Sequence, residues 1–331
     1  MYKDNRLIIG LSLLVVALAA ASLIIGTESI PVLPALIDQF SNPDSTYGII
    51  FREIRLPRTL IALVIGASLG LCGAAMQGLL RNPLASPGLV GSSGGAALGA
   101  VSVLYFSSSL WSAQLVPVAG MAGSLVATLL VYTLAGRGAG ITNLILAGVA
   151  VNALATACLS LLLNLAPSPF AAQELILWTL GDLTDRSLTD LWLLLPCTVL
   201  GWILLTGIGQ QLNALTLGET TATSLGINVH RLRWRVFLAV SLAVGSAVSI
   251  AGMIGFIGLV VPHLLRNHVN HEPARLLPVS ALGGAAMLLA ADIGIRLIPT
   301  QQTLKVGVLT ALVGAPFFFY LIVRHRQNYN G

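Results

Sequence analysis

Apolar residues fill this chain in runs long enough to cross a bilayer, and polar residues gather in the short stretches between them. The runs lie at about 7–26, 59–80, 89–107, 114–135, 141–165, 188–208, 236–265, 277–298 and 305–323. A helix needs roughly 20 apolar residues to traverse the hydrocarbon core. The pattern predicts an all-α, polytopic membrane protein in a single domain, 1–331. The ~10-residue alternating strands of a membrane β-barrel are missing. One run is too long. At about 1.5 Å per residue, 236–265 would make a helix of about 45 Å, against a core of about 30 Å. Gly252, Gly255 and Gly258, in "AGMIGFIG", supply a place to break it. The break gives ten membrane segments, the eighth short.

Charge supports the even count. With the break, Arg266, Arg275, Arg324 and Arg326 join Lys3, Arg6, Arg81, Arg137, Arg231, Arg233 and Arg235 on one side. These eleven basic residues face only three acidic ones, Asp4, Glu219 and Glu272, whereas the other side carries six basic and nine acidic residues. The positive-inside rule makes the first side cytoplasmic, with both termini on it.

Composition agrees: 56% of residues are hydrophobic, 9% are charged, and mean hydropathy is +0.89. A water-facing surface cannot be built from so few charges. The net charge of +5 therefore reads as cytoplasmic loops, not as a nucleic-acid surface. The first run exceeds the 7–15 residues of a cleaved signal segment and is read as an uncleaved span. Cys72, Cys158 and Cys197 all lie in apolar runs and read as packing residues. Gly91, Gly95 and Gly99 recur every four residues, which suits close helix contact. "RLPRTLIALVIGASLGLCGAA" is echoed by "RLRWRVFLAVSLAVGSAVSIAG" after a loop on the opposite side, and "GGAA" recurs at 94–97 and 283–286. Such echoes suit an inverted repeat of spans 2–5 and 7–10.

Several kinds of chemistry are missing. No Gly-Lys pair occurs, and the only lysines are Lys3 and Lys305, so there is no phosphate-cradling loop. The chain is not expected to be an enzyme, to hold a cofactor or to bind a metal. Asp292 and Arg296, four residues apart, suit a local ion pair near a span end. His268 and His271 fall where one helix face could carry both. Glu174, Asp182, Asp185 and Asp190 read as a hydrated loop. Few acids lie at membrane depth, which argues against a proton-coupled carrier. The polar stretch 209–235 has helix-start chemistry at Thr220, Thr221 or Thr223 and a stop at Gly226. It suits a docking element or a solvated loop.

"RLPRTLIALVIGASLGLCGAAMQGLLRNPLASPGLVG", "LILAGVAVNAL", "LGETTATSLGINVHRLR", "AGMIGFIGLVVPHLLR" and "ADIGIRL…GVLTALVGAPFFFYLI" together resemble the FecCD/BtuC-type permease family. These are membrane subunits of bacterial ATP-driven importers for ferric siderophores, haem or cobalamin. The resemblance runs from about Arg52 to Arg324. It implies an inner-membrane subunit of ten spans, paired with a second permease, alike or related, within membrane lipid. It further implies two cytoplasmic ATPase subunits and a periplasmic binding protein. Leu215–Arg233 would then be the segment coupled to the ATPase, with Leu215, Gly218, Glu219, Thr220, Thr223, Leu225 and Gly226 matching the family pattern. Arg55, Arg58 and Arg296 would receive acidic residues of the binding protein on a wet surface. Asn82, Pro83 and Leu84, with Ile141, Thr142 and Asn143, would line the inner gate, and Met76 and Gln77 would face the cavity. Ferric siderophore is the first expectation for the cargo, haem the second and cobalamin the third.

Overall fold

The computed structural model describes residues 2–26, 45–106, 112–136, 140–298 and 304–329, and every regular element among them is helical. The membrane-length helices are α1 (Tyr2–Ile24), α2 (Leu56–Leu79), α4 (Ser112–Ala135), α5 (Ile141–Asn164), α7 (Leu188–Leu205), α10 (Val229–Ala251), α12 (Pro273–Leu297) and α13 (Val306–Tyr329). Shorter are α3 (Ser92–Phe106), α6 (Pro169–Thr179), α8 (Gly209–Leu215), α9 (Glu219–Ser224) and α11 (Ile257–Arg266). Antiparallel succession puts α6 at one end of the bundle and α8 with α9 at the other. These are the α6 end and the α9 end below. Of the charge-parity residues, Glu28, Asp38, Asp44 and Arg137 lie outside the described residues.

The second span differs from expectation at its start. Thr46–Ile49 and a π-helical stretch, Ile50–Arg55, lead without interruption into α2. The charged residues Arg52, Glu53, Arg55 and Arg58 conceal that helix from a hydropathy reading.

The long seventh run breaks as the glycines suggest. α10 ends at Ala251, Gly252 turns left-handed at φ 71°, and α11 resumes at Ile257 after Phe256 at φ 66°. Three glycines distant in sequence interlock here. A Cβ on Gly252 would lie 2.3 Å from the Trp178 carbonyl oxygen, and one on Gly181 2.4 Å from that of Met253. One on Gly307 would lie 2.1 Å from the Leu180 oxygen. The Asp182 amide donates to the Ala251 oxygen at 2.7 Å, capping α10, and the Gly307 amide donates to Gly181 at 3.1 Å. Backbone buried this deep needs such partners. Because α11 turns back, Arg266 reaches the same end as Arg81 and Arg233.

Small residues set the packing. Cβ atoms on Gly66 and Gly284 would each meet the other's carbonyl oxygen, at 2.5 and 2.2 Å, so α2 and α12 touch backbone to backbone. Gly95 against Gly123 and Gly99 against Ala119 do the same for α3 and α4. Ser124 and Ser241 hydrogen-bond at 3.0 Å between α4 and α10. The helix pairs are also paired by symmetry. α2 packs on α12 as α10 packs on α4, and α3 packs on α10 as α11 packs on α2. An inverted repeat of spans 2–5 and 7–10 requires this exchange.

Candidate coupling, docking and gate sites

At the α9 end, α8 and α9 form a compact knob. Leu212 and Leu215 of α8 and Ala222 of α9 are buried in the core, so Leu215 anchors the knob from beneath. α9 begins at Glu219, not at a threonine. Gly218, at φ 106°, takes the N-cap position, and Thr223 and Ser224 bond back along the helix, Thr223 Oγ1 to Glu219 O at 2.8 Å. The stop at Gly226 is as expected. Gly226, φ 82°, donates to Thr223 O at 2.9 Å, and Ile227 donates to Ala222 O at 3.1 Å, a Schellman ending. Thr220, Thr223 and Leu225 face outward. Leu217, which sequence reasoning passed over, is 66% exposed, and Leu225 is 62% exposed. Glu219 Oε1 accepts from Arg233 Nη2 at 2.6 Å and lies 3.9 Å from Arg81 Nη2.

The three arginines at the α6 end are not on a wet surface. Arg55 is buried and donates to the Leu23 and Ile24 oxygens at 2.9 and 2.7 Å. Arg296 donates to the Ser22 and Ile25 oxygens at 2.7 and 2.9 Å. Both therefore cap the C-terminus of α1, whose last carbonyls have no helical partner and attract cations. Arg58 takes Asp292 bidentately, and Asp292 also pairs with Arg296, as the i, i+4 spacing suggested. Arg58 retains the most exposure, at 14% of its side chain. The expected wet fork is instead a cross-link of α1, α2 and α12, because these partners come from helices distant in sequence.

The acidic stretch beside it is only partly hydrated. Asp190 completes a capping box with Ser187 at the start of α7. Asp182 is buried and binds Lys305, and it also accepts from the Thr184 amide and hydroxyl at 2.9 and 2.7 Å. Burial alone would raise its pKa. The Lys305 and Thr184 hydrogen bonds and the Lys305 charge outweigh it and hold the carboxyl below its usual range.

The residues expected at the gate lie at the α9 end. Asn82 Oδ1 accepts from the Leu84 amide at 2.9 Å, making an Asx turn through Pro83. Leu84, Thr142 and Asn143 are exposed, and Ile141 is half-buried. Beyond the turn, Pro87–Val90 dips against α5, where Asn152 Nδ2 donates to Gly88 O at 2.6 Å. Of the two residues expected to face the cavity, Gln77 lines a pocket of about 650 Å³ with Arg81 and Arg266, whereas Met76 faces none of the described pockets. Met76 is fully buried, and Gln77 bonds the Leu259 oxygen at 3.2 Å and Arg266 at 2.5 Å. A groove of about 920 Å³ lies among α1, α2, α7 and α12 and has no charged lining. α11 ends at Arg266, so His268 falls in the short 3₁₀ helix Asn267–Val269 and His271 in the turn beyond it, and they share no helix face. No cluster of three metal-ligating side chains occurs among the described residues.

The profile of the FecCD transport family matches residues 13–324. The hemin transport system permease protein HmuU of Yersinia pestis is 41% identical over 293 residues, 85% of each chain. The vitamin B12 import system permease protein BtuC of Vibrio cholerae is 42% identical over 278 residues, 83% of each chain. A solved chain described as an inward-facing metal-chelate type ABC transporter superposes with a TM-score of 0.83 at 31% identity. That superposition covers 97% of this chain and 99% of the solved one. The chain belongs to the FecCD transport family and has the fold of its ABC importer permeases.

Proposed function

We propose that this chain is the translocating subunit of a binding-protein-dependent importer, driven by a separate ATPase. The observation that carries the reading is the glycine-stopped knob of α8 and α9. It offers exposed Leu217 and Leu225 from a buried base, on a chain without a phosphate loop. Two exposed leucines on a stiff support suit a groove on a partner protein. The α9 end, rich in arginine, is cytoplasmic, and the α6 end receives the binding protein. Arg58, with Arg55 and Arg296 behind it, contributes positive charge there. Asn82–Leu84 and Ile141–Asn143 form the inner gate, which a second permease subunit completes.

The cargo is a metal chelate. Ferric siderophore is the reading from sequence. Haem or cobalamin is the second reading, favoured by the relatives named for hemin and vitamin B12. The chain would be co-expressed with its ATPase and binding protein in proteoliposomes and offered a ferric siderophore, haemin or cyanocobalamin. ATP-dependent accumulation of one of the three is expected. Accumulation driven by a proton gradient without any ATPase would instead make the chain a self-sufficient carrier and overturn the reading.

A further inference from the structure

We infer that Arg81 is the residue through which the α8–α9 knob moves the gate, with Glu219 as the carboxylate that carries the motion. This rests on the coupling role proposed above. α2 and α9 stop in the same way. At the end of α2 the Asn82 amide donates to Gln77 O at 3.2 Å and the Arg81 amide to Gly78 O at 3.4 Å. In α9 the left-handed position of this motif is Gly226, whereas in α2 it is Arg81, at φ 48°. A side chain in that conformation is strained where glycine is not. Strain of this kind clusters at binding sites and switch regions.

The geometry identifies the task. The Arg81 guanidinium faces Glu219 at 3.9 Å, while the same carboxylate oxygen is held by Arg233 at 2.6 Å. Glu219 is thus shared unequally between one arginine on α10 and one at the end of α2. A small shift of α9 towards α2 tightens the looser contact and pulls on Arg81. Arg81 adjoins Asn82, and the Asx turn fixes Leu84 relative to it. Further on, the Asn152–Gly88 bond and the seating of Leu89 O against Gly148 join the same loop to α5. Upstream, Gln77 joins the end of α2 to α11 through Leu259 and Arg266. Arg81 sits between the knob and both sets of contacts.

The test uses the whole complex with its ATPase in liposomes, with Leu84→Cys as the only cysteine. The rate of thiol labelling at position 84 is compared between nucleotide-free and ATP–vanadate-trapped states. In the parent the two rates should differ about fivefold or more. Arg81→Gly relieves the backbone and removes the charge; Arg81→Asn also tolerates the left-handed position. Both should keep ATP hydrolysis within about twofold of the parent while the labelling difference falls below about twofold, and Arg81→Lys should retain it. Parent-like labelling in the glycine and asparagine variants overturns the inference, as does a parent whose labelling ignores nucleotide. Failure of the parent to assemble with any ATPase defeats the coupling reading itself, and this inference with it.

Discussion

Arg58 and Asp292, 234 positions apart, meet as a bidentate pair, with Arg58 Nη2 2.7 Å and Nε 2.9 Å from one carboxylate oxygen. Asp292 is fully buried and also serves Arg296, so one carboxylate fastens α2 to α12 and, through Arg296, to the end of α1.

Removing that carboxylate should therefore be severe. Asp292→Ala leaves two arginines without their anion, and breaking a buried pair costs about 3–5 kcal/mol. The thermal midpoint of the purified protein in detergent should drop clearly below the parent's. An unchanged midpoint would mean that the network adds nothing to the fold.

Topology provides a second prediction. In a background lacking the three native cysteines, Asn270→Cys and Asn328→Cys should both resist an impermeant thiol reagent applied from outside. Labelling of either in intact cells would show that the seventh run crosses once.

The knob provides a third. Gly226 has open space around it, so Gly226→Val acts only through its left-handed backbone, at about 1–2 kcal/mol. Glu219→Lys places a third cation between Arg81 and Arg233. Both variants should insert and bind the binding protein normally, yet fail in transport. Gly226→Asn should be milder, because asparagine tolerates the left-handed region. Normal transport by Gly226→Val and Glu219→Lys would reduce the stretch to a solvated loop.

Asp182 provides a pH dependence. Its carboxyl is held below the usual range in the fold. The pairing with Lys305 therefore stabilises fully above about pH 4, near the unfolded value, and is lost as pH falls through the folded value. The parent's thermal midpoint should fall more steeply below about pH 4 than that of Asp182→Asn. Parallel curves would exclude the linkage.

Hydropathy made the spans legible, and charge parity with Gly252 made the break legible. Both signals are local or cumulative along the chain. What stayed hidden depended on partners without a side-chain signature. Arg55 and Arg296 spend their donors on the backbone oxygens of Ser22, Leu23, Ile24 and Ile25, which no motif announces. Lys305 finds Asp182 across 123 positions. Leu217 escaped notice because one more leucine in an apolar chain carries no information until its exposure is known. The start of α9 was placed late because threonine is a good cap, yet Gly218 alone can adopt the φ that the turn requires.

The interlocked glycines bear on how the chain enters the membrane. Synthesis runs from the N-terminus, so the segments carrying Gly181 and Gly252 emerge well before Gly307. When the nearly continuous apolar stretch 236–265 has been made, the last piece of the lock has not. The lock around Gly252 is therefore complete only once Gly307, at the start of α13, has been made.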